Sequence, residues 1–310
     1  MVAAVSSSAG ADVSKAWQAA KDNLPDTIPA IGAVDVAAVV KQPAFGKLLA
    51  LVKKEDRGVR EGIELVKSAC NLDLTQVVDG VVVAGDPDGK DDDIMVFIQL
   101  KIDRPKASTC LEAMLRTVEK RKQVTVQQTG KFTEASVGDE TAYFAWVDKA
   151  VVAFNVEPIK KARLERFVGK QGLAKSPVGS LFGKLDPKAA AFGAIKLAKP
   201  LDRDLPFTQV YGNATLTGTT LAGAIVGTAT DAAAAGKFVT EAKRELIKLA
   251  LRDKLPAIAK KLVTAVTLNA VGAEVTLKGS AATGDLVEAI MEMAVRKPAM
   301  PADPPPAEAP

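Results

Sequence analysis

The sequence predicts an α+β protein made of two similar repeats, each an antiparallel sheet with helices laid on one face. Three observations predict it. Apolar runs come in adjacent pairs joined by turn residues, which is the pattern of hairpins. Single amphipathic helical stretches separate those pairs, instead of following every strand as they would in a parallel sheet. The order of elements then recurs in the second half of the chain.

The first ten residues, Met1 to Gly10, are small, polar and uncharged, and read as a flexible tether. From Asp12, which can cap a helix, Val13, Trp17, Ala20 and Leu24 recur at helical spacing until Leu24-Pro25 ends the stretch. A stripe anchored by one Trp is expected to pack on the domain. A strand over 30–36 leads to helical stretches over 36–52 and 60–70. Apolar runs at 77–85 and 94–102 form a hairpin around Asp86-Pro87-Asp88-Gly89 and Asp91-Asp92-Asp93. A helix over 105–121 carries Ala107, Leu111, Met114, Leu115 and Val118 on one side, and strands follow at 123–128, 141–147 and 151–155. A helix at 158–168, with Pro just inside it, closes the first half.

The second half reads as a short helix at 178–185, a strand at 189–197 and a hairpin of 209–216 with 221–229 turned at Gly218. A long helix at 232–251, one more turn at 258–262 after Pro256, strands at 263–269 and 274–279, and a helix at 284–296 complete it. Two local matches support duplication. Val40-Lys41-Gln42-Pro43 resembles Ala174-Lys175-Ser176-Pro177, and Asp103 and Asp231 each stand between an apolar strand and an amphipathic helix, where a carboxylate caps free amides. The expected domains are a tether and short helix over 1–24, a first α+β domain over 25–170, a second over 171–296 and a Pro-rich tail over 297–310, with the boundary near Gly169–Gly172.

Composition narrows the function. The chain has no His, which removes every mechanism that needs an imidazole. Two Cys are too few for a structural zinc site or an iron–sulfur cluster. The 41 basic residues are interleaved with 37 acidic ones and aromatics are 5% of the chain, so no nucleic-acid partner is expected. No run approaches the ~18 apolar residues of a membrane span. No Ser has Lys three positions on, no Gly-x-Ser-x-Gly or Gly-x-Gly-x-x-Gly occurs, and no Gly-Lys pair is followed by Ser or Thr. No catalytic residue, cofactor or metal is expected.

Three features stand out as candidate sites. Cys70 and Cys110, on two helical stretches forty positions apart, are either a disulfide or two buried thiols; the disulfide is the reading adopted. The acids Asp86, Asp88, Asp91, Asp92 and Asp93 offer oxygen ligands but lack the order and closing Glu of a calcium loop, and read as a solvated hairpin tip. The 232–251 helix has a basic side at Lys237, Lys243, Arg244 and Lys248, diluted by Glu241 and Glu245, and reads as core-facing rather than as bound to an anionic membrane.

Leu24-Pro25-Asp26-Thr27, then Ile31-Gly32-Ala33-Val34-Asp35-Val36, then a helix with Pro43, Phe45 and Leu48-Leu49 resemble exported bacterial proteins of uncharacterised role. Those proteins open with a Leu-Pro-x-x-Thr step; here a single residue separates Pro25 from Thr27. Val81-Val82-Val83-Ala84-Gly85 and the helix with Cys110 are similar too, so the resemblance covers roughly the first 120 residues. It implies an α+β fold and a periplasmic, cell-envelope or secreted location, and brings no catalytic residues.

The expected function is therefore a non-enzymatic exported protein that binds a protein or envelope component through its surface. The alternative is a carrier of an apolar ligand or lipid held between sheet and helices, suggested by Gly212, Ala214, Gly218, Gly223 and Gly227 on the second hairpin.

Overall fold

A computed structural model describes residues 13–87, 94–120, 122–155, 161–200, 205–252 and 255–295. The tether and the Pro-rich tail, and with them Asp12, Asp88 and Asp91 to Asp93, lie outside the described residues.

Helix α1 (Ser14–Asn23) precedes β1 (Ala30–Asp35), and helices α2 (Val36–Val40), α3 (Phe45–Glu55), α4 (Arg57–Cys70) and α5 (Leu74–Val77) lead to the hairpin β2 (Val78–Gly85) and β3 (Met95–Leu100). After α6 (Arg104–Val118) come β4 (Val124–Thr129), β5 (Phe132–Val137), β6 (Glu140–Asp148), β7 (Val151–Asn155) and α7 (Lys161–Phe167). Two 3₁₀ stretches, Leu173–Lys175 and Pro177–Lys184, introduce β8 (Ala191–Lys196), β9 (Phe207–Thr217) and β10 (Thr220–Ala229). The chain finishes with α8 (Ala232–Ala250), α9 (Ala257–Thr264), β11 (Thr267–Val271), β12 (Glu274–Ala282) and α10 (Thr283–Val295).

All the strands among the described residues belong to one antiparallel sheet of twelve, in the order β11-β12-β10-β9-β8-β1-β2-β3-β7-β6-β5-β4. The expected α+β class with antiparallel pairing is present, but the two expected sheets are joined into one. The joint is the pairing of β1 with β8, in which Gly32 faces Gly193. Each of these strands would otherwise leave a row of unpaired amides and carbonyls, and pairing them removes both edges. The Gly169–Gly172 segment is not a free linker: Lys170 and Gly172 donate to the carbonyls of Asn23 and Leu24 at 2.9 and 2.8 Å.

Outward from the joint the strand order is mirrored. One side runs β1-β2-β3-β7-β6 and the other β8-β9-β10-β12-β11, with the hairpin β4–β5 added only to the first. The Asp match falls at corresponding places, since Asp103 caps α6 through Lys106 N–H at 3.1 Å and Asp231 caps α8 through Ala234 N–H at 2.7 Å. The Lys-x-Pro match does not: Pro43 follows β1, whereas Pro177 precedes β8.

Helices lie on both faces, not one, because the sheet carries apolar side chains on both faces. On one face Ile31, Ala33, Val82, Ala84, Phe192 and Ala194 pack under α1, α7 and the 3₁₀ stretches. Trp17 of α1 is 4% exposed and meets Phe192 and Phe182 edge-on at 5.0 and 5.2 Å. The expected apolar stripe of α1 is thus core. On the other face Ala235 and Val239 of α8 pack on Leu268 and Val275 of β11 and β12. Cys70 and Cys110 form a disulfide, Cα atoms 5.0 Å apart, joining the end of α4 to α6.

Candidate functional site

The second face of the sheet is left open at its centre. In an antiparallel pair, residues directly opposite each other share a face. Following those pairs from strand to strand, Val83 lies beside Gly32, Gly32 beside Gly193, Gly193 beside Gly212, Gly212 beside Ile225 and Ile225 beside Leu277. Three glycines thus stand side by side in the middle of one row, between branched side chains at both ends. The adjacent row is Val81, Val34, Ala191, Ala214, Gly223 and Gly279, small over most of its length.

With so little side chain on the floor, a cavity of about 940 Å³ remains between the sheet and the helices. Its wall beyond β12 is made by Leu262 of α9, Ala265 and Val266 just after it, and Leu286 of α10. The cavity opens to solvent, so Val34, Val83 and Ile225 are 40%, 42% and 50% exposed on its floor. A contiguous apolar surface left in water is uncommon in a monomeric protein and marks a place where something binds.

The helix wall is held by polar contacts outside the apolar lining. Lys261 Nζ meets Asp285 Oδ2 at 2.9 Å and joins α9 to α10. Thr283 N–H donates to the Thr219 carbonyl at 2.7 Å, and the Thr283 hydroxyl lies 3.4 Å from Gln42 Oε1, beyond α2.

Few polar groups reach the lining. Asn213 borders it, but its amide points to the opposite face, accepting from Asp186 N–H at 2.6 Å and donating to the Lys184 carbonyl at 3.0 Å. Among the described lining residues Asp86 is the one charged group, at the β2 end of the trough. The carboxylates held below their ordinary range lie elsewhere. Asp73 is lowered by the Thr75 hydroxyl and then by Thr75 N–H, and Glu245 by its contact with Lys248. Both serve helix ends or surface pairs. The arrangement offers shape and apolar contact, and no acid–base pair.

Of the residues expected to leave room for a ligand, Gly212, Ala214 and Gly223 line the trough. Gly218 makes the hairpin turn at φ +58°, and Gly227 admits the Phe207 ring, which an added Cβ would meet at 2.7 Å. Gly32, Gly193, Val34 and Val83 were not anticipated. A signal for them exists in Ala30-Ile31-Gly32-Ala33 and Ala191-Phe192-Gly193-Ala194, the same small-large-Gly-Ala order on the two strands that meet. Neither Cys70 nor Cys110 lines the trough, and of the acidic run only Asp86 is described, among the lining residues.

Fold and site define an α+β protein with one twelve-stranded antiparallel sheet and an open apolar trough on it. No protein-family model and no curated protein matches the chain. Among solved structures it is similar to crystal form III of TP0453, with a TM-score of 0.48 and 10% identity over 86% of this chain and 95% of that one. Crystal forms I and IV of TP0453 give a TM-score of 0.46 each, at 10% and 11% identity, over 86% of this chain and 94% of theirs.

Proposed function

We propose that this protein is an exported, non-enzymatic binding protein that carries an apolar ligand between its sheet and helices α9 and α10. The observation that supports the reading most directly is the 940 Å³ trough with its glycine floor, a volume at the upper end of those that hold small molecules. Export is supported by the Cys70–Cys110 disulfide, since such bonds persist in oxidising compartments, and by the resemblance of the N-terminal third to exported proteins. Among the described residues no helix is long and apolar enough to cross a membrane. We also read the chain as two repeats fused through β1 and β8. The mirrored strand order and the paired Gly32 and Gly193 support that reading.

Gly32 provides the test. A Cβ built there meets nothing nearer than the Phe192 carbonyl at 3.9 Å, so a larger side chain would project into the trough. Nile red, a neutral dye that brightens in apolar surroundings, is titrated into the full chain. Saturable one-to-one binding is expected, weakened at least tenfold in Gly32→Phe with little change in thermal midpoint. Absence of saturable binding, or equal binding by a folded Gly32→Phe, would overturn the proposal.

A further inference from the structure

We infer that the occupant of the trough is an elongated lipid without a negative charge, lying across the strands. The inference rests on the carrier reading and concerns the chemistry of what is carried.

The shape of the lining argues for elongation. It crosses β2, β1, β8, β9, β10 and β12, five inter-strand steps of about 4.8 Å, so the floor is about 24 Å long. Along each strand it takes in five positions, such as Ala30 to Val34 or Val210 to Ala214, which is about 13 Å. The long axis therefore runs across the strands, over Gly32, Gly193 and Gly212. One leaflet of a bilayer's hydrocarbon core is about 15 Å thick, so a lipid chain fits along this axis from end to end. Spread over that length, 940 Å³ leaves a mean cross-section of about 39 Å², against about 16 Å² for one chain of atoms packed roughly 4 Å apart. That is room for an extended chain lying along the floor.

The charge of the lining argues for the absence of an anion. No Lys or Arg lines the trough among the described residues, so a carboxylate or phosphate inside it would be desolvated without a partner. Asp86, at the β2 end, is an acid and offers no positive charge to a head group there. At the opposite end Lys261, next to the lining Leu262, is paired with Asp285 at 2.9 Å. Val83, Ile225 and Leu277 offer contact to methylene groups and nothing to an ion.

The test is displacement of Nile red from the full chain at pH 8 and low salt by 1-dodecanol and by dodecanoate. The two match in length and differ in charge. Dodecanol is expected to displace the dye at a concentration at least tenfold lower than dodecanoate, and 1-octanol to be weaker than dodecanol. Equal displacement by dodecanol and dodecanoate would overturn the charge argument while leaving the carrier reading intact. Equal displacement by octanol and dodecanol would overturn the elongated ligand. If the dye binds but no alcohol displaces it, the lipid class fails; if the dye itself does not bind, the carrier reading fails first. Sedimentation that shows a dimer dissociated by Nile red would assign the trough to a second copy of the chain, and would also overturn the inference.

Discussion

Removing the disulfide tests how the first half of the sheet is held. Cys70 and Cys110 close a loop with a sequence separation of 40, and that loop contains α5, β2, β3 and the start of α6. Val82, Met95 and Phe97 on those two strands are fully buried. In the chain-entropy account the bond acts by restricting the unfolded chain, and a loop of this size corresponds to about 4 kcal/mol at 25 °C. Replacing both cysteines by Ala should therefore lower the unfolding free energy by about 4 kcal/mol, or the thermal midpoint by roughly 6 °C for a chain of this length. Urea unfolding followed by circular dichroism measures the change, and the urea dependence should steepen as the unfolded state expands. The folded trough should be untouched, so Nile red should bind the double variant with unchanged affinity under native conditions. A loss below about 1 kcal/mol, or lost dye binding in a variant of unchanged stability, would refute this reasoning.

Three further outcomes are expected. Trp17→Ala removes the ring wedged between Phe182 and Phe192 and should cost about 3–5 kcal/mol by chemical denaturation, as large aromatic-to-Ala changes in a core do. Gly193→Ala should be destabilising by about 1–3 kcal/mol, because the added Cβ would lie 2.9 Å from the Ile31 carbonyl, whereas Gly32→Ala should be near neutral; thermal melts of the pair separate the two. Asp73 holds its charge through Thr75, so its contribution is complete above the ordinary carboxylate range and is lost as the pH falls through its lowered folded value. Asp73→Asn should accordingly flatten the decline of stability below about pH 4, read as the urea midpoint against pH.

The elements that depend on nearby residues were legible in the sequence. Asp103 and Asp231 mark helix starts because capping involves only the next few amides. The stripe of α1 and the hairpin at Gly218 were likewise readable, since periodicity and a glycine at positive φ are local. Strand β5 escaped: Phe132–Val137 mixes Thr, Glu and Ser into a short run, although Gly130 and Gly138 at φ +59° bracket it as turns. The stretch Pro177–Lys184 reads as a helix by its apolar spacing, but Pro177, Gly179 and Gly183 weaken the α form and it winds as 3₁₀. The joint between β1 and β8 was out of reach, because it pairs residues about 160 positions apart and no local rule encodes a partner so distant. The trough was half legible for the same reason. Glycines on the second hairpin pointed toward it, but the row through Gly32, Gly193 and Gly212 exists only once three strands have found one another.

That joint also bears on how the molecule is made. Each half can pair its own strands as it leaves the ribosome, but β1 must wait for β8, and closing so long a loop is slow. Helix α1 waits as well, since Trp17 belongs to a core completed by Phe182 and Phe192. During that interval β1 offers a bare edge, and the face that α1 later covers is open, to any neighbouring chain. The aggregation hazard thus lasts from the emergence of β1 until β8 is made, and a holding chaperone would act there by covering the surfaces that β8 and α1 later protect.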